Sequence, residues 1–267
     1  MQAAQACRKG EPMDKAKPEG PDQLAEALAR TPRGSGRRLR GAVAHYLGSA
    51  IVSGQIAPGA KLTGEIANSE ALNVSRSAYR EAVQVLTAKG LVASKPKDGT
   101  RVMPRSNWNL LDPLVLTWAF TGEPDPGFVR DLFELRALVE PGIARLAAER
   151  RSKEDLAAMK AALAAMRQHT LATEAGRTAD REFHEALLRA AGNEVLMSLA
   201  ASIGSAVNLT TQYKQRARAL PRDPIPDHAR VYDAVAAGDG DGAAAAMQAL
   251  VDLAHRDTRE VMDQTPG

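Results

Sequence analysis

The chain has 267 residues and is 44% hydrophobic but only 4% aromatic, enough for two modest cores built largely from Ala and Leu, which are strong helix formers. Residues 1–105 hold 17 Lys and Arg against 9 Asp and Glu, and residues 106–267 hold 18 against 23, so a basic first part suited to a polyanion precedes an acidic second part. The single cysteine, Cys7, excludes a disulfide framework, no apolar run is long enough for a membrane span, and MQAAQACRKG lacks an apolar signal core, so a cytoplasmic protein with no membrane partner is expected.

In chain order, residues 1–34 read as a flexible tail, rich in Gly, Pro, Lys and Glu, with room for a short helix over 22–30. A domain is expected over 35–105. It opens with a helix whose apolar face is Leu39, Val43, Tyr46, Leu47, Ala50 and Ile51, ended by Ser53-Gly54. The turn Ala57-Pro58-Gly59 follows, then a short helix over 65–72 stopped at Asn73. Ser75 is a natural N-cap for the next helix, with Ala78, Tyr79, Val83 and Leu86 on its apolar face and Lys89-Gly90 at its end. LVASKP and TRVMP, joined by Lys97-Asp98-Gly99, read as a β-hairpin.

Residues 106–126 read as a linker holding one short helix over Pro113–Ala119, with Trp108 and Trp118 expected to pack it onto the second domain. Residues 127–263 read as an all-helical domain. Its helices are expected near 127–150, 153–170, 176–191, 194–217, 227–237 and 240–262, with breaks at Ser152, Gly192-Asn193, Pro221–Pro226 and Gly238–Gly242. The fold class is therefore mostly α: a winged helix-turn-helix with a small hairpin wing, then a helical bundle.

The first domain's order of elements places its third helix in a DNA major groove, with the N-terminal residues facing base edges. Arg76 and Arg80 are four apart on that helix and share a face, and Arg is the commonest reader of guanine. Ser75 and Ser77 can donate to phosphates, and the hairpin tip, with Lys95, Lys97 and Gly99, would reach the adjoining minor groove or backbone. A merely solvated basic helix is the bland alternative. The segment IVSGQIAPGAKL…LNVSRSAYREAVQVLTAKGLV…DGTRV resembles the DNA-binding domain of the GntR family of regulators. It departs from the family at Gly64, where Pro is frequent, and at Ile66 and Ala67, where a basic residue is frequent.

In the second domain Asp180 and His184 are four apart on one helix, and His228 opens another. One carboxylate and two imidazoles suit a divalent transition metal, with zinc fitting the ligand types. An ordinary Asp–His ion pair and a helix-start His is the bland alternative. Leu135-Arg136…Glu140-Pro141, Ala147-Ala148-Glu149, Asp180-Arg181-Glu182-Phe183-His184, Gly192-Asn193 and His228…Gly238-Asp239 resemble the effector (FCD) domain of the FadR subfamily. The segment from Trp108 to Trp118 is most similar to sugar-acid-responsive members such as galactonate-operon repressors.

The resemblance implies metal binding by one Asp and three His, but the fourth position is Leu250 here. His255, five residues on, would point roughly 140° away. Three protein ligands and an open site are thus expected. The resemblance also implies that Arg136 faces the cavity and meets the carboxylate of a small effector, whereas an internal salt bridge to Glu140 is the local alternative. The function expected is a ligand-responsive, homodimeric regulator of transcription, a repressor, that binds palindromic operator double-stranded DNA and is not an enzyme. A metal-dependent hydrolase acting on a small carboxylate, using Asp180, His184 and His228, is the alternative, though no HExxH, GxSxG or phosphate-loop motif accompanies it. A structural nucleoid protein is a third reading, and it leaves the helical domain without a purpose.

Overall fold

The computed structural model describes residues 36–62, 69, 72, 74–217 and 222–264. The expected tail over 1–34, and most of the short helix over 65–72 with its stop at Asn73, lie outside these residues. The elements in order are α1 (Gly36–Val52), α2 (Arg76–Ala88), β1 (Val92–Lys95), β2 (Gly99–Val102), a 3₁₀ turn (Arg105–Asn107), α3 (Pro113–Ala119), α4 (Pro126–Arg150), α5 (Lys153–His169), α6 (Glu174–Ala190), α7 (Glu194–Met197), α8 (Ala200–Ala217), α9 (Ile225–Ala237) and α10 (Gly240–Gln264).

Local chemistry sets most of these boundaries. Asp112 and Asp125 accept from Leu114 N and Phe128 N at the starts of α3 and α4, each followed by a proline whose missing N–H costs nothing there. Ser152 and Asp155 form a reciprocal capping box on α5. Gly238, at φ 76°, closes α9 in the left-handed conformation. The one long helix expected over 194–217 is instead broken at Ser198-Leu199. There the Ser198 hydroxyl donates to Val195 O at 2.6 Å, and Ser198 N and Leu199 N bond three residues back rather than four.

β1 and β2 form the antiparallel wing, with Lys95 opposite Gly99 and Val92 opposite Val102. The chain before α2 adds to it: Leu62 N donates to Thr100 O and Val102 N to Ala60 O. Around this wing α1 and α2 bury Val43, Leu47, Ile51, Tyr79 and Leu86 in one cluster. Val83, expected on the apolar face of α2, is only half-buried, and Ala82 takes its place in the core. A second cluster gathers α4–α6 and α8–α10 around Phe133, Phe183, Leu187, Val231 and Met247.

Both tryptophans belong to the first cluster, not to the second as expected. The reason is the two-faced character of α3. Val115 and Trp118, three apart, point into the first cluster, while Leu116 and Phe120, four apart, point into the second. The Trp118 ring fits against α1 because residue 48 is glycine: a methyl there would lie 2.7 Å from Trp118 Cε2 and nearer still to two other ring atoms. Trp108 is fixed by its indole N–H, which donates to Met103 O at 2.9 Å. α3 is thus wedged between two cores rather than carried by one.

Candidate functional site

At the start of α2, Ser75 is the N-cap and accepts from Ala78 N at 3.2 Å, with Ser77 Oγ 3.1 Å from its hydroxyl. Arg76 and Arg80 follow on the exposed side of a helix whose other face, Ala78, Tyr79, Ala82 and Leu86, is buried. Lys97 is exposed at the wing tip with φ 65°, and Gly99 follows at φ 83°. Two basic residues that the sequence reading passed over stand in the same wing. Lys61 pairs with Arg101 across an isolated β-bridge, and Arg101 holds Asp98 through two hydrogen bonds of 2.9 Å.

The second constellation is buried. α6 supplies Asp180 and His184 from one face, and α9 brings His228 in from its first turn. Their donor atoms all lie within 4.8 Å of one another. Asp180 Oδ1 is 3.0 Å from His228 Nε2 and 3.8 Å from His184 Nε2. Phe183 closes the floor, its ring edge-on to both imidazoles.

Each ring has an outer partner. His228 Nδ1 lies 2.9 Å from Pro224 O and donates to it, which turns Nε2 toward Asp180. His184 Nδ1 lies 3.4 Å from Glu140 Oε2, and the other oxygen of Glu140 accepts from Arg136 Nε at 2.6 Å. Asp180 Oδ1 and His228 Nε2 therefore meet as two buried polar atoms 3.0 Å apart. They lack the alignment of a hydrogen bond and have no other partner. Leaving such atoms unsatisfied is costly. A metal ion bound at about 2.0–2.2 Å from each would satisfy both, and its ligand atoms would stand roughly 3–3.5 Å apart.

The electrostatics follow from burial and pairing. Burial works against the charge on His228, but the Asp180 carboxylate beside it prevails and holds the imidazole above its ordinary pKa. Burial pushes His184 below its ordinary value, against the pull of Glu140 and Asp180. Burial alone would raise Asp180; the two imidazoles and Lys214 outweigh it and keep the carboxyl low.

Leu250, at the position where a fourth ligand was considered, is buried and apolar, and His255 is turned away, stacked on Phe133 with ring centres 4.7 Å apart. The Arg136–Glu140 pair that was the local alternative is present and buried. It uses only Nε; the two terminal nitrogens of Arg136 make no hydrogen bond among the described residues. The sequence reading missed Glu140 as the link between Arg136 and His184. It also missed Lys214 on α8, which is buried and pushed by burial from 10.5 to about 8. Asp227 and Asp257, bridged by Arg222, form a further buried ionic group at the foot of α9.

Residues 39–102 match the bacterial regulatory proteins of the gntR family, and residues 131–253 match the FCD domain. The chain is 37% identical over 218 residues to the galactonate operon transcriptional repressor of Escherichia coli K12, covering 80% of this chain and 94% of that one. It is 36% identical over 204 residues to the HTH-type transcriptional regulator LutR of Bacillus subtilis 168, covering 74% and 91%. Among solved structures, the Listeria monocytogenes regulator Lar aligns over 83% of this chain and 96% of its own with a TM-score of 0.60. E. coli McbR/YncC aligns over 83% and 97% with a TM-score of 0.50. Both are 18% identical and bear on the fold alone.

Proposed function

The chain belongs to the GntR family of bacterial regulatory proteins, in the branch that carries an FCD domain, and from that premise we propose that it is a repressor released from its operator by a small hydroxy-carboxylate. That it is a DNA-binding regulator of transcription rather than an enzyme follows from the family and from relatives named as regulators. The operator, the effector and the residues that meet them are the proposal.

In this reading residues 35–105 bind DNA as one half of a homodimer. Arg76 and Arg80 read base edges or grip phosphates, and Ser75, Ser77, Lys97 and Gly99 hold the backbone. Residues 106–126 connect to the effector domain at 127–263, and the protein works in the cytoplasm. Asp180, His184 and His228 hold a divalent metal, zinc best matching one carboxylate and two imidazoles. When bound, the metal supplies Lewis acidity toward the oxygens of a chelating ligand. Glu140 orients His184 and Arg136 together, and the free terminal nitrogens of Arg136 receive the ligand carboxylate as a fork.

One observation carries this reading. The buried atoms Asp180 Oδ1 and His228 Nε2 face each other 3.0 Å apart without an aligned hydrogen bond, beside an arginine whose terminal nitrogens are unspent. A sugar acid of the galactonate kind is the effector class favoured, since a galactonate operon repressor is the relative at 37% identity. The test is a titration of the protein on its own upstream DNA with galactonate, gluconate, tartrate and lactate, with and without a chelator. Release by a hydroxy acid, abolished by chelation, supports the reading. Specific binding that none of them relieves overturns the effector assignment.

A further inference from the structure

Lys214 is a lysine buried to 7% exposure on α8. Lysine is almost never buried to that degree without a counter-charge held in contact. Among the described residues Lys214 makes no hydrogen bond and no ion pair, yet it lies near enough to Asp180, Asp257 and Arg136 to feel their charges. Thr211, one turn earlier on the same face of α8, is also buried, and its hydroxyl has no hydrogen-bond partner among the described residues. Around the Asp180 triad, Asp180 Oδ1, His228 Nε2 and Glu140 Oε2 are buried without a hydrogen bond, and the ammonium of Lys214, the hydroxyl of Thr211 and the terminal nitrogens of Arg136 make none among the described residues.

Their charges define the missing partner. Asp180, Glu140 and Asp257 are balanced by Arg136, Lys214 and Arg222. A divalent cation on the Asp180 triad would leave this group of side chains two charges positive, with Arg136 and Lys214 repelling one another from separate helices. An anion that touches both relieves this. A compact three-carbon acid already engaged by the metal and by Arg136 has no further oxygen to offer, whereas a longer oxygenated chain does. Resting on the effector reading above, we propose that Lys214, assisted by Thr211, is a second recognition residue of the effector cavity, gripping an oxygen at a part of the ligand remote from the carboxylate on Arg136. This selects a polyhydroxy acid or dicarboxylate of four to six carbons over a short 2-hydroxy acid.

The experiment is calorimetric titration of the zinc-loaded full-length protein with galactonate, gluconate, tartrate, malate and lactate, repeated on K214M and K214R. The inference expects a four- to six-carbon acid to bind and K214M to weaken it roughly tenfold or more, the size of a lost hydrogen bond to a charged group. K214R should recover part of the loss, and lactate should bind poorly to all three proteins. A cooperative thermal transition in K214M shows that the fold is kept. Equal binding of the longer acid by native protein and K214M overturns the role of Lys214 and leaves the effector reading standing. Binding of lactate alone, or of none of these acids, overturns both.

Discussion

Replacement of Lys214 by Met makes the metal-free protein more stable at pH 7. Burial moves the Lys214 ammonium from its ordinary 10.5 to about 8, and at about 1.4 kcal/mol per tenfold change in proton affinity this is a cost of about 3 kcal/mol at neutral pH. A methionine of similar length keeps the apolar stem and removes the charge. The sign is fixed by proton counting. Between about 8 and 10.5 the unfolded chain holds this proton and the folded chain does not, so native stability rises with pH across that window. Below 8 the whole cost is present. K214M should therefore unfold roughly 6–12 °C above the native chain at pH 7, taking about 2–4 °C per kcal/mol for a chain of this size. The gap should shrink steadily toward pH 10. Urea or thermal unfolding of both proteins in chelator, at pH 7, 8.5 and 10, provides the comparison. A variant no more stable than native at pH 7, or a gap that does not change with pH, refutes the reasoning. A residue kept at a stability cost is the behaviour of a binding site rather than of a core.

G48A should lose about 1–2 kcal/mol in urea unfolding, because the forced overlap with the Trp118 ring exceeds the helix-propensity gain of about 1 kcal/mol; equal or higher stability would show that α1 and α3 can separate freely. The native protein, dialysed against zinc, should retain it and melt higher than in chelator, while H184A should do neither, as read by elemental analysis and calorimetry. R76A should weaken operator binding by about 1–3 kcal/mol and flatten discrimination among operator variants if Arg76 reads a guanine, or weaken all sequences alike if it holds a phosphate. The Lys89–Asp112 pair, 2.5 Å apart and half-buried between α2 and the cap of α3, should show a coupling of about 1 kcal/mol in a double-mutant cycle of K89A and D112A, and additivity would mean the contact has no energetic weight.

The helices were legible in the sequence because their ends carry chemistry. Asp112-Pro113, Asp125-Pro126, Ser152 with Asp155, and Gly238 each satisfy or terminate backbone groups with local atoms, and local atoms are what a sequence displays. The break at Ser198 was not legible, since Val195, Leu196, Leu199 and Ile203 keep a helical period through it, and only the hydroxyl bonded back to Val195 shows the interruption. The side taken by Trp118 was equally hidden. Apolar side chains lie on more than one face of α3, and the feature that assigns the tryptophan is a glycine seventy residues earlier on α1.

At the site, the four-residue step from Asp180 to His184 is visible as a shared helical face, and His228 as an imidazole at the start of another helix. The bond from Arg136 to Glu140 is visible for the same reason, but the reach of Glu140's second oxygen to His184 depends on how α4 lies on α6, which spacing does not encode. Lys214 sits in the run TTQYKQRAR, whose composition is that of a solvated face; only its burial reveals it. That burial has a consequence for how the two cores are joined. Tyr213, the residue before Lys214, packs edge-on against Phe120 at 6.4 Å and donates to Glu123 at 2.7 Å, so α8 bears directly on the chain that leaves α3. α3 in turn holds Trp118 against α1 and, through Asp112, holds Lys89 at the end of α2. A ligand drawn to Lys214 would thus act on a helix in contact with α3, which packs on both cores. It can shift the recognition helices only by as much as it binds one arrangement of that element better than another, and the residues through which such a difference would be felt are Tyr213, Phe120, Trp118 and Asp112.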